Sequence, residues 1–148
     1  MPVLMARKDC VFCRMLQGTE KHYLVGENEH AIAIRDINPF TQGHTLVIPR
    51  RQTHFWNDLT VEELSGLFAL AKEVADRLQR RLKPDFVPLF ARGRRVPHAH
   101  IFLVPTFKND PQDQFFNAMG SFQEAPPQLM KLRTPEALEA TAKKLRVP

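Results

Sequence analysis

The stretch VPHAHIFLVP, residues 96–105, places two histidines two positions apart in an apolar run bounded by prolines. Apolar and β-branched residues between such breaks predict a short strand. Side chains alternate across a strand, so His98, His100 and Phe102 share one face. An unpartnered buried polar group costs about 1–3 kcal/mol, so two imidazoles on one face need partners. A metal ion or an anionic ligand would satisfy both.

The segments on either side of this stretch predict the rest of an α+β fold. Residues 23–37, YLVGENEHAIAIRDI, and residues 43–49, GHTLVIP, carry hairpin signals that predict three strands. Residues 85–91, DFVPLFA, predict another strand before HAHIFLV. Thr60 and Glu63 form a capping box ahead of apolar residues at helical spacing, which predicts one long amphipathic helix packed on the sheet.

The length and composition predict a single domain over residues 1–148. The chain is 43% hydrophobic and 25% charged, as is typical of a soluble protein with one core. From about residue 106 to residue 148 the chain is polar and rich in proline, so we expect a less regular tail. A short helix is expected around DQFFNAM, and a final helix is expected where Thr134 is the cap and Pro135 the first helical residue.

The charge pattern argues against a nucleic-acid-binding or membrane protein. The chain has 21 Lys and Arg residues against 16 Asp and Glu residues, but many of them cluster in short runs such as RRLK, RGRR and AKKLR. Basic runs at the ends of elements are more often solvated than bound to a polyanion. We find neither a signal-peptide pattern nor an apolar run of about 18 residues that would span a membrane. We therefore expect a cytoplasmic protein that does not bind nucleic acid.

The two cysteines, Cys10 and Cys13, stand at C-x-x-C spacing. They are too few and too close for a disulfide scaffold, so the pair is a redox dithiol, half of a zinc site, or chance. A redox pair is expected at the start of a helix in a βαβ unit, whereas this pair precedes the first predicted strand. Zinc prefers four ligands, and histidine is the natural supplier of the other two.

Four stretches together resemble the histidine triad (HIT) superfamily of nucleotide hydrolases and transferases: CVFC, AIRDI, DINPFTQGHTLVIP and VPHAHIFLVP. The family signature is H-x-H-x-H followed by apolar residues, and HAHIFLVP supplies the first two histidines. The resemblance covers nearly the whole chain. It implies a HIT-like α+β fold with an antiparallel sheet, one long packed helix and a C-terminal helix. It also implies a homodimer that binds a purine nucleotide.

The resemblance implies roles for individual residues. His100 would be the middle triad histidine, which attacks the α-phosphorus and forms a nucleotidyl-imidazole intermediate. Asp36 would bond the ribose hydroxyls, with Ile37 against the base. His44 follows a glycine at a strand start, where its ring can either bond to backbone groups or belong to the nucleotide site.

The resemblance also implies a structural zinc site like that of a bacterial branch of the family. Cys10 and Cys13 would supply two ligands, and His98, the first triad histidine, would supply a third. The family's fourth ligand falls on Gln52 when the chain is aligned without gaps, and His54 stands two residues further on. Because a two-residue shift in an extended segment preserves the face, we expect His54 rather than Gln52 to complete the site.

Two departures from the family bear on activity. The third triad position is Phe102, and a phenyl ring can neither donate to a phosphate oxygen nor pass a proton to a leaving group. The approach to the triad is ARGRRVP in place of a glycine-rich stretch with a glutamine. Arg94 or Arg95 would replace part of the lost function by stabilising phosphate charge, unless the turn holds both in solvent.

Two functions remain open at this point. The favoured one is a nucleotide phosphohydrolase or nucleotidyl transferase that attacks the α-phosphate of a purine nucleoside phosphoramidate or a dinucleoside polyphosphate. The alternative is a nucleotide-binding protein with little or no turnover. We favour the enzyme because His100 is retained, and losing an acid–base contribution of about 10²–10⁴ slows a reaction without abolishing its first step.

Overall fold

The computed structural model describes residues 10–122 and 127–146. The chain divides into two compact units, residues 1–112 and residues 113–148. The parts of the expected tail at residues 123–126 and 147–148 lie outside the described residues. That residues 1–148 form a single domain stays a prediction.

The first unit is built on a five-stranded antiparallel sheet, which confirms the α+β prediction. Its strands are β1 (Leu24–Glu27), β2 (Ala31–Arg35), β3 (Thr45–Pro49), β4 (Leu89–Phe90) and β5 (Ile101–Leu103). The order across the sheet is β1-β2-β3-β5-β4. The central strand β3 therefore pairs with both β2 and β5, and β5 carries the end of the two-histidine stretch into the sheet.

Both faces of the sheet are buried, and side-chain alternation assigns residues to them. On β2, Ala31 and Ala33 belong to one core, whereas Ile32 and Ile34 belong to the other. On β5, Phe102 packs against the second core. The side chains with chemistry collect on this second face.

Helix α2 (Val61–Leu82) covers the first face and is the long amphipathic helix expected from the sequence. The capping box is present: the Thr60 side chain accepts from the Glu63 amide, and the Glu63 carboxylate accepts from the Thr60 amide. The buried leucines and valine of such a stripe each contribute about 1.5–3 kcal/mol relative to exposure. The buried stripe consists of Leu67, Leu70, Ala71, Val74 and Leu78.

Helix α1 (Val11–Leu16) covers part of the second face, and the sequence analysis missed it. Cys10 is its N-cap, and the Cys10 Sγ accepts from the Cys13 amide at 3.2 Å. Phe12 and Met15 are buried in the second core. The helix has only six residues and lacks a usual N-cap side chain, so its sequence shows neither a helical period nor a start signal.

The strand predicted over the two-histidine stretch is shorter than expected. Regular pairing is confined to β5, and residues 94–98 form a bend. The Ala99 amide donates to the Thr53 carbonyl at 2.6 Å, so this backbone bonds to a loop rather than to a neighbouring strand. β4 is also short because Pro88 has no amide to donate, although its carbonyl accepts from the Val104 amide at 3.1 Å.

The described part of the tail is more regular than the sequence analysis expected. It contains α3 (Pro111–Ser121), α4 (Pro127–Met130) and α5 (Pro135–Leu145). α5 is the predicted C-terminal helix, with the Thr134 side chain accepting from the Ala137 amide.

Candidate active site and metal-ligating group

Cys10, Cys13 and His98 form one buried cluster, which we name the Cys–Cys–His group. Their ligand atoms all lie within 4.8 Å of one another, and no disulfide joins the sulfurs. The Nδ1 atom of His98 lies 3.5 Å from each sulfur. Tetrahedral zinc, with Zn–S of about 2.3 Å and Zn–N of about 2.0 Å, holds neighbouring sulfur and nitrogen ligands about 3.5 Å apart. The donor set and its spacing therefore fit zinc.

The tautomer of His98 also suits a metal ligand. Its Nε2 lies 2.7 Å from the Pro49 carbonyl oxygen, which can only accept, so Nε2 carries the proton. Nδ1 then presents a lone pair to the two sulfurs. Burial lowers the pKa of His98, and this keeps the ring neutral, as a metal ligand must be.

The structure does not bring His54 to the Cys–Cys–His group. His54 is exposed and stacks on Phe55, with ring centroids 4.6 Å apart. The expectation assumed an extended segment after Pro49, but the chain bends at His54 and forms a short 3₁₀ helix at Trp56–Asp58, so a two-residue shift does not keep the face. The side-chain amide of Gln52 donates to the Pro97 carbonyl at 3.3 Å, next to His98.

His100 is buried, and it donates to a carbonyl from the other ring nitrogen than His98 does. Its Nδ1 donates to the His98 carbonyl at 2.8 Å, which leaves the lone pair on Nε2. We find no hydrogen bond to this Nε2 among the described residues. Burial lowers the pKa of His100, more than the hydrogen bond to His98 and the charge of Asp36 raise it. The ring is therefore neutral and has a free nucleophilic nitrogen.

Gly93 lies directly against the His100 ring. A Cβ at position 93 would clash with Cε1 of His100, and the imidazole would have to move. On the other side, the Phe12 ring contacts His100 edge-on, with centroids 4.9 Å apart. Glycine and phenylalanine together fix the plane of the imidazole, as a positioned nucleophile requires.

Phe102, at the third triad position, forms the centre of an aromatic stack. Its ring lies parallel to Phe90, with centroids 4.8 Å apart, and parallel to Phe40 at 6.3 Å. The same ring lies 5.1 Å from His100 and 5.3 Å from His44. The position of the missing histidine is therefore filled by apolar surface beside the nucleophile.

Asp36 and His44 form a coupled pair beyond this stack. The Asp36 amide donates to the His44 carbonyl at 3.1 Å, and the Asp36 Oδ2 lies 3.7 Å from the His44 Nε2. The other oxygen, Oδ1, accepts from the Asn38 amide at 2.7 Å. The next side chain, Ile37, is 69% exposed and open to a ligand.

The protonation of His44 follows from its contacts. Nδ1 accepts from the Phe40 amide at 3.2 Å, so the proton is on Nε2, which is buried with no hydrogen-bond partner in the part of the chain that the structure describes. Burial lowers the pKa of His44, the Asp36 charge opposes this shift, and the Arg35 charge adds to it. A neutral His44 thus directs an N–H toward Asp36, which favours one orientation of the carboxylate.

A cavity of about 680 Å³ opens beside His100, and we name it the His100 cavity. Six of its lining residues are exposed. Among them are His54 on the loop after β3, and Arg92 and Arg94 on the approach to the two-histidine stretch. Arg95, the other arginine proposed from the sequence, is exposed and does not line the cavity. The complete lining is His54, Phe55, Trp56, Ala91, Arg92, Gly93, Arg94, Ala99 and His100.

Several residues of the site escaped the sequence analysis. Phe12 and Trp56 have no sequence signal that links them to His100, because their contacts form only when distant segments meet. The single weak signal was Gly93, since a glycine within an arginine-rich turn indicates a close backbone approach.

Comparisons with known proteins agree with this geometry. The family model described as the HIT domain matches residues 17–109. An uncharacterized 16.1 kDa HIT-like protein from Mycoplasma pneumoniae is 38% identical over 109 residues, which cover 70% of this chain and 76% of the relative. The chain belongs to the HIT family, and the resemblance inferred from its four motifs is confirmed.

Solved structures extend the comparison to the fold and the metal. A zinc-bound histidine triad family protein from Mycobacterium smegmatis has a TM-score of 0.63 and 32% identity, covering 69% of this chain and 78% of that one. A hypothetical histidine triad nucleotide-binding protein from Sulfolobus tokodaii has a TM-score of 0.63 and 30% identity, covering 68% and 71%. The fold is thus that of the HIT family, and a zinc-bound member is among its structural neighbours.

No helix in the described ranges combines the length and the hydrophobicity that crossing a membrane requires.

Proposed function

We propose that this protein is a nucleotide hydrolase or nucleotidyl transferase in which His100 is the nucleophile. The observation that carries the proposal is the orientation of His100: Nδ1 donates to the His98 carbonyl, and the neutral ring keeps its Nε2 lone pair beside an arginine-lined cavity. An imidazole held in one tautomer and one plane, next to cations that attract phosphate, meets the requirements for attack on phosphorus.

The proposed reaction has two displacement steps. In the first, the Nε2 lone pair of His100 forms a bond to the α-phosphorus, and the bond from that phosphorus to the leaving group breaks, with its electron pair leaving on the departing atom. In the nucleotidyl-imidazolium that results, the proton stays on Nδ1 and is donated in the hydrogen bond to the His98 carbonyl. In the second, the oxygen of water or of another acceptor forms a bond to the phosphorus, and the phosphorus–Nε2 bond breaks with its electron pair returning to Nε2. The acceptor proton passes to solvent, and neutral His100 is restored.

The nucleotide-binding roles proposed for the remaining residues fit their surroundings. Asp36 is held by Asn38 and His44 and its side chain is 17% exposed, which supports a contact with ribose hydroxyls. The exposed Ile37 side chain is proposed to contact a purine base. Arg94 lines the same cavity as His100, and its guanidinium is proposed to bind non-bridging phosphate oxygens.

The observation that favours the alternative function is Phe102. A phenyl ring cannot protonate a leaving group, so a substrate that needs such help would bind without being turned over. In that case the protein would act as a nucleotide-binding protein with little turnover. The two functions differ in whether a covalent nucleotidyl-His100 species accumulates.

Mass spectrometry of the intact protein tests the proposal directly. After brief incubation with an activated nucleoside 5′-phosphoryl ester and an acid quench, we expect the mass of a nucleotidyl adduct on the wild-type chain and none on His100→Gln. His22→Ala, at a partly buried histidine that does not line the His100 cavity, is the matched control and should form the adduct. Binding of the nucleotide without an adduct or turnover would replace the enzyme by the binding function.

We propose that the Cys–Cys–His group holds structural zinc, with Cys10, Cys13 and His98 as ligands. The fit of the 3.5 Å sulfur–nitrogen distances and the neutral His98 support this. Bound zinc would join α1 to the approach to β5 without contacting substrate. The fourth ligand is proposed to come from the loop at residues 52–54, where His54 requires the loop to rearrange and Gln52 is already beside Pro97.

The metal content tests this part of the proposal. Protein prepared without chelator should contain about one zinc per chain, and Cys10→Ser should contain much less and unfold at a lower temperature. Structural zinc would be rejected if wild-type protein purified without chelator contained no metal and Cys10→Ser unfolded at the same temperature as the wild type. The resemblance to the family further supports a cytoplasmic homodimer. Light scattering, which measures the mass of the particle in solution, tests whether the protein is a dimer.

A further inference from the structure

Phe12 lies between Cys10 and Cys13 in the sequence and contacts both histidines of the HAHIF stretch. Its side chain is buried in the second core. The ring meets His98 edge-on, with centroids 6.0 Å apart and planes 82° apart, and meets His100 with centroids 4.9 Å apart and planes 69° apart. One phenyl ring therefore contacts both the proposed metal ligand and the proposed nucleophile.

The Cys–Cys–His group determines where Phe12 stands. Its two cysteines flank Phe12 on either side, and each sulfur lies 3.5 Å from the Nδ1 atom of His98. A metal ion held by all three donors would fix the backbone on both sides of residue 12 relative to His98, because metal–ligand distances tolerate only small displacements. Helix α1 has only six residues and depends on such tertiary support. The position of Phe12 therefore depends on whether the group is occupied.

A second link to the nucleophile runs through the backbone of His98. The His98 carbonyl accepts from the His100 Nδ1 at 2.8 Å, and this hydrogen bond leaves the lone pair on Nε2 of His100. The His98 ring is itself held by its Nε2 donation to the Pro49 carbonyl at 2.7 Å and by the two sulfurs beside Nδ1. The proposed third ligand thus also supplies the acceptor that selects the tautomer of His100.

The two contacts that set the plane of the His100 ring differ in how firmly they are held. Gly93 belongs to residues 91–100, which form neither a helix nor a strand. Phe12 is packed in the second core beside the sheet. Segments with few regular backbone hydrogen bonds offer little resistance to local displacement. The alignment of the imidazole therefore depends mainly on Phe12.

We propose that Phe12 is a positioning residue through which occupancy of the Cys–Cys–His group controls the reactivity of His100. The proposal rests on the proposed function of His100 and concerns the regulation of that site. When the group is occupied, Phe12 and the His98 carbonyl hold the imidazole in the plane and the tautomer that attack requires. When the group is empty, α1 loosens, and Nε2 reaches the phosphorus in productive geometry less often. Nucleotide binding at Asp36 is unaffected.

The variant Phe12→Leu tests the positioning role in zinc-loaded protein. It removes the ring but keeps an apolar side chain, so the metal content should stay at the wild-type level. The rate of adduct formation at saturating nucleotide should fall about 10²-fold, as expected for a small misplacement of a nucleophile, while the dissociation constant of the nucleotide changes less than about twofold. Met15→Leu, at another buried position of α1, is the matched control and should change neither. An unchanged rate in zinc-loaded Phe12→Leu would overturn the proposal.

Removal of zinc tests whether the control acts through Phe12. A chelator, used at a temperature at which circular dichroism shows that the chain is folded, should lower the rate of adduct formation in the wild type, and added zinc should restore it. In Phe12→Leu the same treatment should cause little further loss, because the two changes act on one contact. Equal losses on chelation in both proteins would overturn the coupling.

The nitrogen chemical shifts of the His100 ring give a measurement that needs no turnover, with His100→Gln identifying the signals. With zinc bound, they should show one tautomer that is protonated on Nδ1, and they should move toward the average of two tautomers when zinc is removed. Unchanged shifts overturn the coupling and leave an adduct on His100 unaffected. Shifts that respond to zinc in a wild-type protein that forms no adduct would retain the coupling and reject the proposed enzyme.

Discussion

The Cys–Cys–His group contains His98, and the His100 cavity is lined by a histidine only two residues further along the chain. The two sites nevertheless differ in enclosure, charge and lining. The group is enclosed: Cys10, Cys13 and His98 are 0%, 6% and 1% exposed. The cavity is open, cationic and partly lined by exposed aromatic rings. His100 is also buried, at 6% exposed, but its ring lines the cavity.

The difference between the two imidazoles arises from which nitrogen donates to a carbonyl. His98 donates from Nε2 to Pro49, so its lone pair on Nδ1 faces two sulfurs. His100 donates from Nδ1 to the His98 carbonyl, so its lone pair is on Nε2. One residue type thereby presents a lone pair suited to a metal in one place and a lone pair suited to nucleophilic attack in the other. Burial alone does not separate these roles.

The largest expected effects come from exchanging each imidazole for an amide. His100→Gln should lower turnover by about 10⁴-fold or more because a carboxamide cannot replace the imidazole as the nucleophile. His98→Gln should lower metal affinity at least about 100-fold because a ligand is lost. Steady-state kinetics and elemental analysis of both variants measure the two effects.

Each variant serves as the control for the other. His100→Gln should retain wild-type metal content, and His98→Gln should still form some nucleotidyl adduct where it remains folded. Loss of metal in His100→Gln, with activity unchanged, would reverse the assignment of the two histidines.

The next largest effect is expected from restoring a proton donor in Phe102→His. The rate with an amine leaving group should rise by up to about 10²–10⁴, whereas the rate with an activated ester should change little, because only the amine needs a proton. Phe90→His, on the other side of the same aromatic stack, is the matched control and should produce no such selectivity. Unchanged rates with both substrates in Phe102→His would mean that position 102 has no part in proton transfer.

A smaller effect is expected on the ribose side of the site. A carboxylate that accepts from ribose hydroxyls contributes about 1.5–3 kcal/mol, so Asp36→Ala should weaken ribonucleotide binding about tenfold or more. Calorimetry with the 2′-deoxy nucleotide should show much of the same loss in wild-type protein. Asp85→Ala, an exposed carboxylate elsewhere, provides the comparison. Equal affinities for the ribo and deoxy forms would exclude Asp36 as the ribose contact.

The smallest effect concerns the loop that carries His54–Trp56 into the cavity wall. Arg51 joins this loop to α2 by donating to both carboxylate oxygens of Glu63, at 2.6 and 2.8 Å. The hydrogen bond from Arg51, more than the bonds to Thr60, lowers the pKa of Glu63 from 4.5 to about 2. The pKa of Glu63 is lower in the folded protein than in the unfolded chain. The stabilisation contributed by the ionised carboxylate is therefore present above pH 4.5 and is lost as the pH falls toward 2.

Glu63→Gln should therefore cost up to about 1 kcal/mol at neutral pH, because it removes the charge that pairs with Arg51 while glutamine can still accept from the Thr60 amide, and it should flatten the acid limb of the stability curve. Denaturant unfolding at several pH values measures both. Glu27→Gln, which removes the exposed ion pair with Arg50, should cost less. The metal content should stay at the wild-type level, and a fall in zinc on Glu63→Gln would show that this loop also supports the Cys–Cys–His group.

Much of the fold was accessible from local patterns. The alternation in β2 and β3, the capping box at Thr60 and the helical period after it are properties of neighbouring residues, so short windows of sequence reveal them. Helix α1 escaped because it has six residues and a cysteine as its cap. Its helical conformation depends on packing Phe12 and Met15 against the sheet, which no local window contains.

The sequence by itself determined which side chains are the candidates for chemistry: the C-x-x-C pair, the two histidines of HAHIF and the aspartate of AIRDI. Only the tertiary structure decided which ring nitrogen of each histidine presents its lone pair and what that nitrogen faces. The proton of His98 is fixed by a carbonyl 49 positions away, and His54 is directed into the cavity by a bend rather than toward the sulfurs. Tautomers and ligand sets depend on hydrogen bonds between segments far apart in the chain, and such contacts exist only after the sheet has brought those segments together.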